Sequence, residues 1–308
     1  MIDFNKRIQE QQKGKPTNPI DIYDTLDRVV EKGPLRPAQE AILQEWYEVR
    51  KDERDLIIKL HTGQGKTLIG LLMLMSRLNS KDGPVVYVCP NKYLANQTRE
   101  QAKQFGIKTC DFDSANNFPD AFWDNSSILV TYVHKLFNGL TKFGLGNQSV
   151  QVDSIVLDDS HACIDSIEAS ATLIIPKESD LYNDILEIFK DSLEVQGYAK
   201  FQEIKSGESN DVMLVPYWSW FDLHREVVQK ILENKEQNFV LFTWPIIRDV
   251  ISACNCYVSS ALLHEDSSRA CASIGQDSGG FWFGYWHAVG CHLIERLNLH
   301  FVFLNLGG

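Results

Sequence analysis

Apolar residues in this chain are concentrated in short runs, and most runs are followed by a stretch with the spacing of an amphipathic helix. The runs stand at residues 55–60, 85–90, 128–132 and 154–157. Strands buried on both faces show this pattern, and strands that alternate with helices favour a parallel sheet with right-handed crossovers. The pattern predicts an α/β fold, a parallel sheet flanked by helices, with ligands at the carboxyl ends of the strands.

The first run passes directly into a glycine-rich turn and then into a helix. The turn reads His-Thr-Gly-Gln-Gly-Lys-Thr over residues 61–67. Its glycines let backbone N–H groups turn around an anion, Lys66 can reach the β- and γ-phosphates, and the Thr67 hydroxyl can ligate Mg²⁺. Leu60 occupies the position of the first glycine in the general phosphate-loop pattern. The stretch predicts a nucleoside triphosphate site, and a flexible turn is the alternative.

The fourth run ends in two adjacent carboxylates, Asp158 and Asp159. Asp158 suits a role in holding Mg²⁺, usually through water, and Asp159 suits a role in orienting or deprotonating an attacking water. On its own, such a pair more often caps the following helix. Beside a phosphate loop, the catalytic interpretation is favoured.

A helical segment upstream of the first run carries a further candidate. Pro37 stands in the first turn of this helix, where its missing N–H costs nothing, and Gln39 lies near the helix start. A glutamine side chain offers both a donor and an acceptor, which reading the edge of an adenine requires. An ordinary solvated helix glutamine is the alternative.

Composition and charge narrow the possible partners in part. The 308 residues include 30 basic and 41 acidic ones, a net charge of −11. This balance argues against a broadly basic surface that coats nucleic acid, but it allows a locally basic cleft. The seven cysteines are odd in number and scattered, so we expect reduced, mostly buried thiols. No uncharged apolar run approaches ~18 residues, so we expect a cytoplasmic protein with no membrane partner.

Together these segments resemble the DEAD/DEAH-box proteins of helicase superfamily two. Residues 61–67 resemble the first motif of that family, whose leading glycine is commonly absent, and residues 35–39 resemble its adenine-reading segment. The resemblance implies a RecA-like lobe with ATP and Mg²⁺ as ligands. It implies nucleotide contacts from Gln39, Thr62, Gly63, Gln64, Gly65, Lys66 and Thr67, and metal contacts from Thr67 and Asp158.

The D-E-x-H box of the family appears as Asp-Asp-Ser-His at residues 158–161. Aspartate in place of the catalytic glutamate retracts the carboxylate by about 1.5 Å, which weakens catalysis unless water placement compensates. His161 would couple the nucleotide site to the third motif of the family, and a helix-capping histidine is the alternative. The resemblance thus implies catalytic roles for Lys66, Asp158, Asp159 and His161.

Two further segments, residues 89–97 and 130–136, resemble the motifs that touch the sugar-phosphate backbone of a bound strand. Helix caps and solvated helix faces are the alternatives. The partner would be single- or double-stranded nucleic acid, either DNA or RNA. The resemblance implies contacts from Asn91, Lys92, Gln97 and Thr131.

An acidic stretch interrupts the resemblance. Residues 178–236 contain thirteen acidic and six basic residues, a net charge of −7. Apolar spacing at residues 181–195 and 220–232 predicts two amphipathic helices. Three tryptophans of this region can stack on bases, but at helical spacing we expect them in the core. They are Trp218, Trp220 and Trp244.

We expect five segments in the chain. They are a lead-in and helix at 1–33, a RecA-like ATP-binding core at 34–169, a largely helical acidic insertion at 170–250, a return to the core at 251–275 with a degenerate third motif at Ser260-Ala261-Leu262, and an aromatic tail of uncertain structure at 276–308.

A second RecA-like lobe, with a Gly-x-Gly segment and an arginine-bearing box, has no counterpart in the sequence. We therefore expect only the first of two motor lobes, completed by a second lobe or a partner protein. The leading hypothesis is a truncated helicase-like lobe that hydrolyses ATP in response to nucleic acid and is not processive alone. One alternative is a nucleotide-regulated binding module with little hydrolysis. Another is an unrelated phosphate-loop enzyme such as a small-molecule kinase, against which the paired carboxylates and the segment around Gln39 argue.

Overall fold

The computed structural model describes residues 15–29, 33–61, 63–143, 149–208, 211–260, 271–275 and 300–306. The chain divides into two compact units. The first takes residues up to 135 together with 150–165 and 297–308, and the second takes 136–149 and 166–296.

Ten strands are present in the described residues. They are β1 Asp55–Leu60, β2 Val85–Cys89, β3 Thr109–Cys110, β4 Ile128–Tyr132, β5 Ser154–Asp158, β6 Leu173–Pro176, β7 Val212–Leu214, β8 Asn255–Ser259, β9 Cys271–Gly275 and β10 His300–Leu306.

The α-helices of the same residues are α1 Pro19–Thr25, α2 Pro37–Glu45, α3 Lys66–Ser80, α4 Lys92–Gln104, α5 Asp120–Trp123, α6 Val133–Leu136, α7 Ser160–Ser170, α8 Asp180–Ser206, α9 Tyr217–Glu233 and α10 Asn238–Ile247. A π-helical turn, Trp46–Arg50, continues α2, and a short 3₁₀ turn, Ile251–Ala253, precedes β8.

The first unit is built on a six-stranded sheet with the strand order β1-β10-β5-β2-β4-β3. Every neighbouring pair in this sheet is parallel. The predicted parallel α/β fold is therefore confirmed. Because parallel strands end at the same edge, the segments that follow β1, β2 and β5 meet at the carboxyl edge of the sheet.

Helix α3 supplies much of the core of the first unit. Its sequence is apolar on nearly every face, which suits a helix that is covered all round. Leu71 and Leu72 are fully buried, and each such burial stabilises the fold by ~1.5–3 kcal/mol. Val85 and Tyr87 of β2 belong to the same apolar cluster, so one face of the sheet packs against this helix.

The second unit contains a four-stranded antiparallel sheet, in the order β6-β9-β8-β7, and the three long helices α8, α9 and α10. The two helices that the apolar spacing predicts are present as α8 and α9. Trp220 of α9 is 4% exposed and packs its ring 5.9 Å from that of Phe189, as expected for a core residue. Trp218 is 63% exposed, so the expectation that it is buried is wrong.

The predicted return to the core at residues 251–275 is also wrong. Strands β8 and β9 pair with each other and with β7 and β6, so they complete the antiparallel sheet of the second unit. The return is made by β10, within the stretch expected to be an aromatic tail, and β10 pairs with both β1 and β5. Apolar runs identify strands but not their partners. Ser260 accordingly follows a strand of the second sheet, and residues 261 and 262 lie outside the described part of the chain.

Candidate functional site

The glycine-rich turn lies at the carboxyl end of β1 and leads directly into α3. Gly63 and Gly65 have φ values of +82° and +76°, in the left-handed region that glycine adopts without strain. A Cβ atom on Gly63 would meet no described heavy atom within 4 Å, so the backbone there is open to a ligand. Gly65 is the N-cap of α3, so the unpaired N–H groups of a fifteen-residue helix begin at Lys66. Thr62 lies outside the described residues.

The first turn of α2 and its N-cap residue brace this turn. Gln39 is 5% exposed, its Nε2 donates to the Gly65 carbonyl oxygen at 3.3 Å, and its Oε1 accepts from the Arg36 backbone N–H at 3.0 Å. Arg36 in turn donates from Nη1 to the Gly63 carbonyl oxygen. The alternative of a solvated helix glutamine is therefore wrong. Reading of an adenine by Gln39 stays a prediction.

Asp158 ends β5 at the same edge of the sheet. Burial raises the pKa of its carboxyl group, while the nearby Tyr87 phenol and Lys66 ammonium group both act to lower it. The carboxylate therefore lies near the lysine of the phosphate loop. The structure brings together Lys66 and Asp158, two of the predicted catalytic residues.

Asp159 adopts an unusual backbone conformation at the start of α7. Its φ is +48°, in the left-handed region that most residues avoid and that aspartate tolerates better than bulkier side chains. Its carbonyl oxygen accepts from the Cys163 backbone N–H at 3.0 Å, and the Cys163 thiol donates to the Asp158 carbonyl oxygen at 3.1 Å. The backbone of both carboxylates is thereby anchored to α7. His161 lies exposed in the first turn of this helix.

Tyr87 is a residue of this edge that no sequence motif identifies. It lies on β2, and its side chain is fully buried with no hydrogen-bond partner for the hydroxyl among the described residues. Its phenol lies beside the Asp158 carboxylate and the Thr67 hydroxyl. The sequence feature that could have identified it is a tyrosine hydroxyl within the otherwise apolar strand β2.

The residues at this edge fit Mg²⁺. Because Thr67 and Asp158 both lie beside the Tyr87 phenol, the predicted metal ligands are brought together. Hydroxyl and carboxylate oxygens are ligands that Mg²⁺ prefers, and such sites use one or two protein oxygens together with phosphates and water. Within the described residues, no group of three or more His, Cys, Asp and Glu side chains forms a separate metal site.

The predicted nucleic-acid contacts divide into two sets. Asn91, Lys92 and Gln97 are exposed on the first turns of α4, just after the carboxyl end of β2. The Asn91 Oδ1 accepts from the Leu94 backbone N–H at 3.0 Å, so Asn91 is the N-cap of α4. Thr131 is fully buried within β4, so its side chain is inaccessible to a strand, and the contact predicted for it is corrected.

Five of the cysteines are unpaired, as expected, namely Cys89, Cys110, Cys163, Cys254 and Cys256. Cys89, Cys163, Cys254 and Cys256 are buried. Burial raises the pKa of the Cys89 thiol to about 12 and that of Cys254 to about 11, which disfavours the reactive thiolate. These thiols are therefore core residues. Within the same described ranges, none of the helices has the length and apolar character needed to cross a membrane.

Comparison with known proteins finds matches to a protein family, to a curated helicase and to a solved structure. A family model described as type III restriction enzyme, res subunit, matches residues 32–202, more than half of the chain. ATP-dependent DNA helicase Hel308 of Thermococcus kodakarensis is 28% identical over 127 residues, and the match covers 39% of this chain and 11% of the helicase. The structure of Xpd4 from S. tokodaii aligns with a TM-score of 0.48 at 13% identity, over 88% of this chain and 57% of that one.

The chain thus spans about a tenth of the length of the Hel308 relative. The family match begins before the phosphate loop and extends beyond the carboxylate pair, so it includes both halves of the site described above. The chain therefore belongs to the family described as type III restriction enzyme, res subunit, and its first unit is a RecA-like lobe of the kind found in helicase superfamily two.

Proposed function

We propose that this chain binds ATP with Mg²⁺ and hydrolyses it as a nucleic-acid-dependent motor lobe of the DEAD/DEAH-box type. The observation that carries the proposal is the juxtaposition of Lys66, at the start of α3, with Asp158, at the end of β5. Helix N-termini and a lysine favour phosphate, and a carboxylate beside them favours a divalent cation. That pairing suits a nucleoside triphosphate better than a singly charged anion.

Binding follows from the loop and its surroundings. The open backbone at Gly63 lets a phosphate group approach closely, and the N–H groups at the start of α3 point their positive dipole end at it. Lys66 neutralises charge on the β- and γ-phosphates. Arg36 and Gln39 hold the loop carbonyl groups, so the conformation of the loop is defined before the ligand arrives.

Hydrolysis depends on the two carboxylates. Thr67 and Asp158 would hold Mg²⁺, which supplies charge neutralisation on the triphosphate. Asp159 would orient the attacking water, and its carbonyl oxygen is held by the Cys163 backbone N–H, which fixes the backbone from which the side chain extends. Because its carboxylate is about one C–C bond shorter in reach than that of a glutamate, we expect slow turnover.

Nucleic acid would bind across the first turns of α4. Asn91, Lys92 and Gln97 are exposed there, and one lysine with a few amide groups neutralises few phosphates. We therefore expect weak, salt-sensitive and sequence-tolerant binding. The Hel308 relative is named a DNA helicase, which makes single-stranded DNA the first probe. A second RecA-like lobe or partner protein would complete the motor.

A nucleotide-regulated binding module with little hydrolysis is the second candidate. The shorter carboxylate at Asp159 favours it, because a site can bind magnesium nucleotide tightly and still position water poorly. Rates of ATP hydrolysis with and without single-stranded DNA or RNA separate the two candidates.

Lys66→Ala tests the nucleotide site itself. Charge-assisted hydrogen bonds are worth about 1.5–3 kcal/mol, so we expect ATP affinity in calorimetry to fall by tenfold or more. Lys103→Ala, which removes an exposed lysine from the far end of α4, is the matched control and should leave ATP affinity unchanged. Equal ATP affinity for the Lys66 variant and the parent would refute the phosphate-loop assignment.

A further inference from the structure

Tyr87 has an unusual environment for a core residue. Its side chain is 0% exposed, and its hydroxyl makes no hydrogen bond within the described part of the chain. A buried hydroxyl without a partner costs free energy that a phenylalanine of nearly the same shape avoids. Packing alone therefore does not account for a tyrosine at this position.

The strand register places Tyr87 beside the carboxylate of the site. Strands β2 and β5 are parallel, and Tyr87 lies opposite Val156. Residues two apart on a strand share a face, so Asp158 follows Val156 on the face that carries Tyr87. Tyr87 and Val156 both belong to the apolar cluster that includes α3, whose first turn contains Thr67.

The phenol is suited to donate a hydrogen bond. A tyrosine hydroxyl has an ordinary pKa of about 10, so it carries its proton at neutral pH and can donate. Hydrogen bonds from a neutral hydroxyl to a carboxylate are charge-assisted and are among the stronger ones in proteins.

We propose that Tyr87 is a positioning residue of the nucleotide site, whose hydroxyl donates to Asp158 and fixes the orientation of that carboxylate when magnesium nucleotide is bound. This inference rests on the proposed function. Thr67 also lies beside the phenol, but it offers a neutral oxygen, whereas Asp158 offers a charged one. A carboxylate that a hydrogen bond holds in one rotamer binds a metal, or a water on that metal, more tightly than a carboxylate that rotates.

The test uses Tyr87→Phe, with Tyr182→Phe as the matched control. Tyr182 is a buried tyrosine of the second unit whose hydroxyl donates to the Ser259 carbonyl oxygen at 3.1 Å. Binding of ADP is measured by calorimetry, once with Mg²⁺ and once with EDTA. We expect Tyr87→Phe to bind ADP about tenfold more weakly with Mg²⁺ and unchanged with EDTA. Tyr182→Phe should match the parent in both conditions.

Urea unfolding without nucleotide provides a readout that is independent of binding. Because the Tyr87 hydroxyl has no hydrogen bond to lose, Tyr87→Phe should unfold at the same or a higher urea concentration than the parent. Tyr182→Phe should unfold at a lower one.

Three outcomes overturn the inference. One is unchanged Mg²⁺-dependent affinity in Tyr87→Phe, and another is an equal loss of affinity with Mg²⁺ and with EDTA, which indicates a structural role. The third is a parent chain that binds no ADP in either condition. That result refutes the proposed function itself, so the two failures are distinguishable.

Discussion

The two edges of the parallel sheet are built differently. At the amino edge, Arg77 in the last turn of α3 meets Asp153, which directly precedes β5, through two hydrogen bonds of 2.8 Å. Their side chains are only 9% and 10% exposed. At the carboxyl edge, Tyr87 has a buried hydroxyl without a partner, and Asp159 has a left-handed φ of +48°.

Helix α3 and strand β5 each run from one edge to the other, so the two edges differ although the same helix and strand contribute to both. Helix α3 begins at the open phosphate loop and ends at the ion pair, and β5 begins beside the ion pair and ends at the carboxylates. Hydrogen bonds with Asp153 raise the pKa of Arg77, so the guanidinium group stays charged. The amino edge is satisfied within the fold, whereas the carboxyl edge leaves polar groups for a ligand.

The largest effect is expected at the amino edge. Asp153→Asn removes the nearest counter-charge of the buried Arg77 and leaves it only the more distant carboxylates of Asp52 and Asp82, so the free energy of unfolding should fall by about 3–5 kcal/mol in urea titrations. Arg50→Ala is the matched control, because Arg50 pairs with Glu45 and Glu53 on the surface and is screened by solvent. Similar losses in the two variants would show that the amino edge holds no special share of the stability.

A smaller loss in the free energy of unfolding is expected when either glycine of the phosphate loop is replaced by alanine. Gly63→Ala and Gly65→Ala both force a left-handed alanine, which costs about 1–2 kcal/mol. A Cβ on Gly65 also clashes with the Gln39 side-chain nitrogen, so this variant should lose a further ~0.5–1.5 kcal/mol from displaced hydrogen bonds. Urea titrations compare the two variants. Equal losses would mean that Gln39 does not brace the loop.

The first unit was largely predictable because its signals are local. Glycines before Lys66 specify the turn of the phosphate loop. Pro37 marks the first turn of α2, and Asn91 marks the N-cap of α4. Short apolar runs specify strands, and β2, β4 and β5 are buried along nearly their whole length. These features need only a few neighbouring residues, so the phosphate loop and the carboxylate pair appeared at the expected ends of their strands.

The errors concern partners that are distant in the sequence. Residues 255–259 form a strand within the stretch expected to return to the core, but nothing in their sequence shows that β7 rather than β1 is the neighbour. The strand that lies next to β1 comes from residues 300–306, in a stretch whose aromatic composition resembled a tail. Thr131 matched a motif, and only the surrounding sheet buries it. The unpartnered hydroxyl of Tyr87 likewise exists only in three dimensions.

Asp159 has a left-handed backbone and a carboxylate at the proposed catalytic site, so two substitutions can separate backbone strain from catalysis. Asp159→Gly should raise the free energy of unfolding by about 1 kcal/mol, because glycine adopts a positive φ freely. Asp159→Asn keeps the shape and should leave stability unchanged. Both variants should retain ATP binding and lose most hydrolysis. Hydrolysis at the parent rate in Asp159→Asn would exclude Asp159 as the group that positions water.

The smallest effects are expected at the start of α4, where one side chain has two proposed roles. Asn91→Ala removes the cap that accepts from Leu94 and should lower stability by about 1 kcal/mol. Asn91→Asp keeps the acceptor and adds a charge that a helix N-terminus tolerates, so stability should hold while anisotropy measurements show weaker binding of single-stranded DNA.

Lys92→Ala isolates the phosphate contact from the cap, because the exposed Lys92 follows the cap without contributing to it. Its stability should match the parent, while its affinity for single-stranded DNA should fall and its dependence on salt concentration should weaken by about one phosphate contact. Lys103→Ala, on the last turn of the same helix and far from the carboxyl edge, should change neither quantity. If Lys92→Ala and Lys103→Ala weakened binding equally, the first turns of α4 would not be the strand contact, and the carboxyl edge would serve the nucleotide alone.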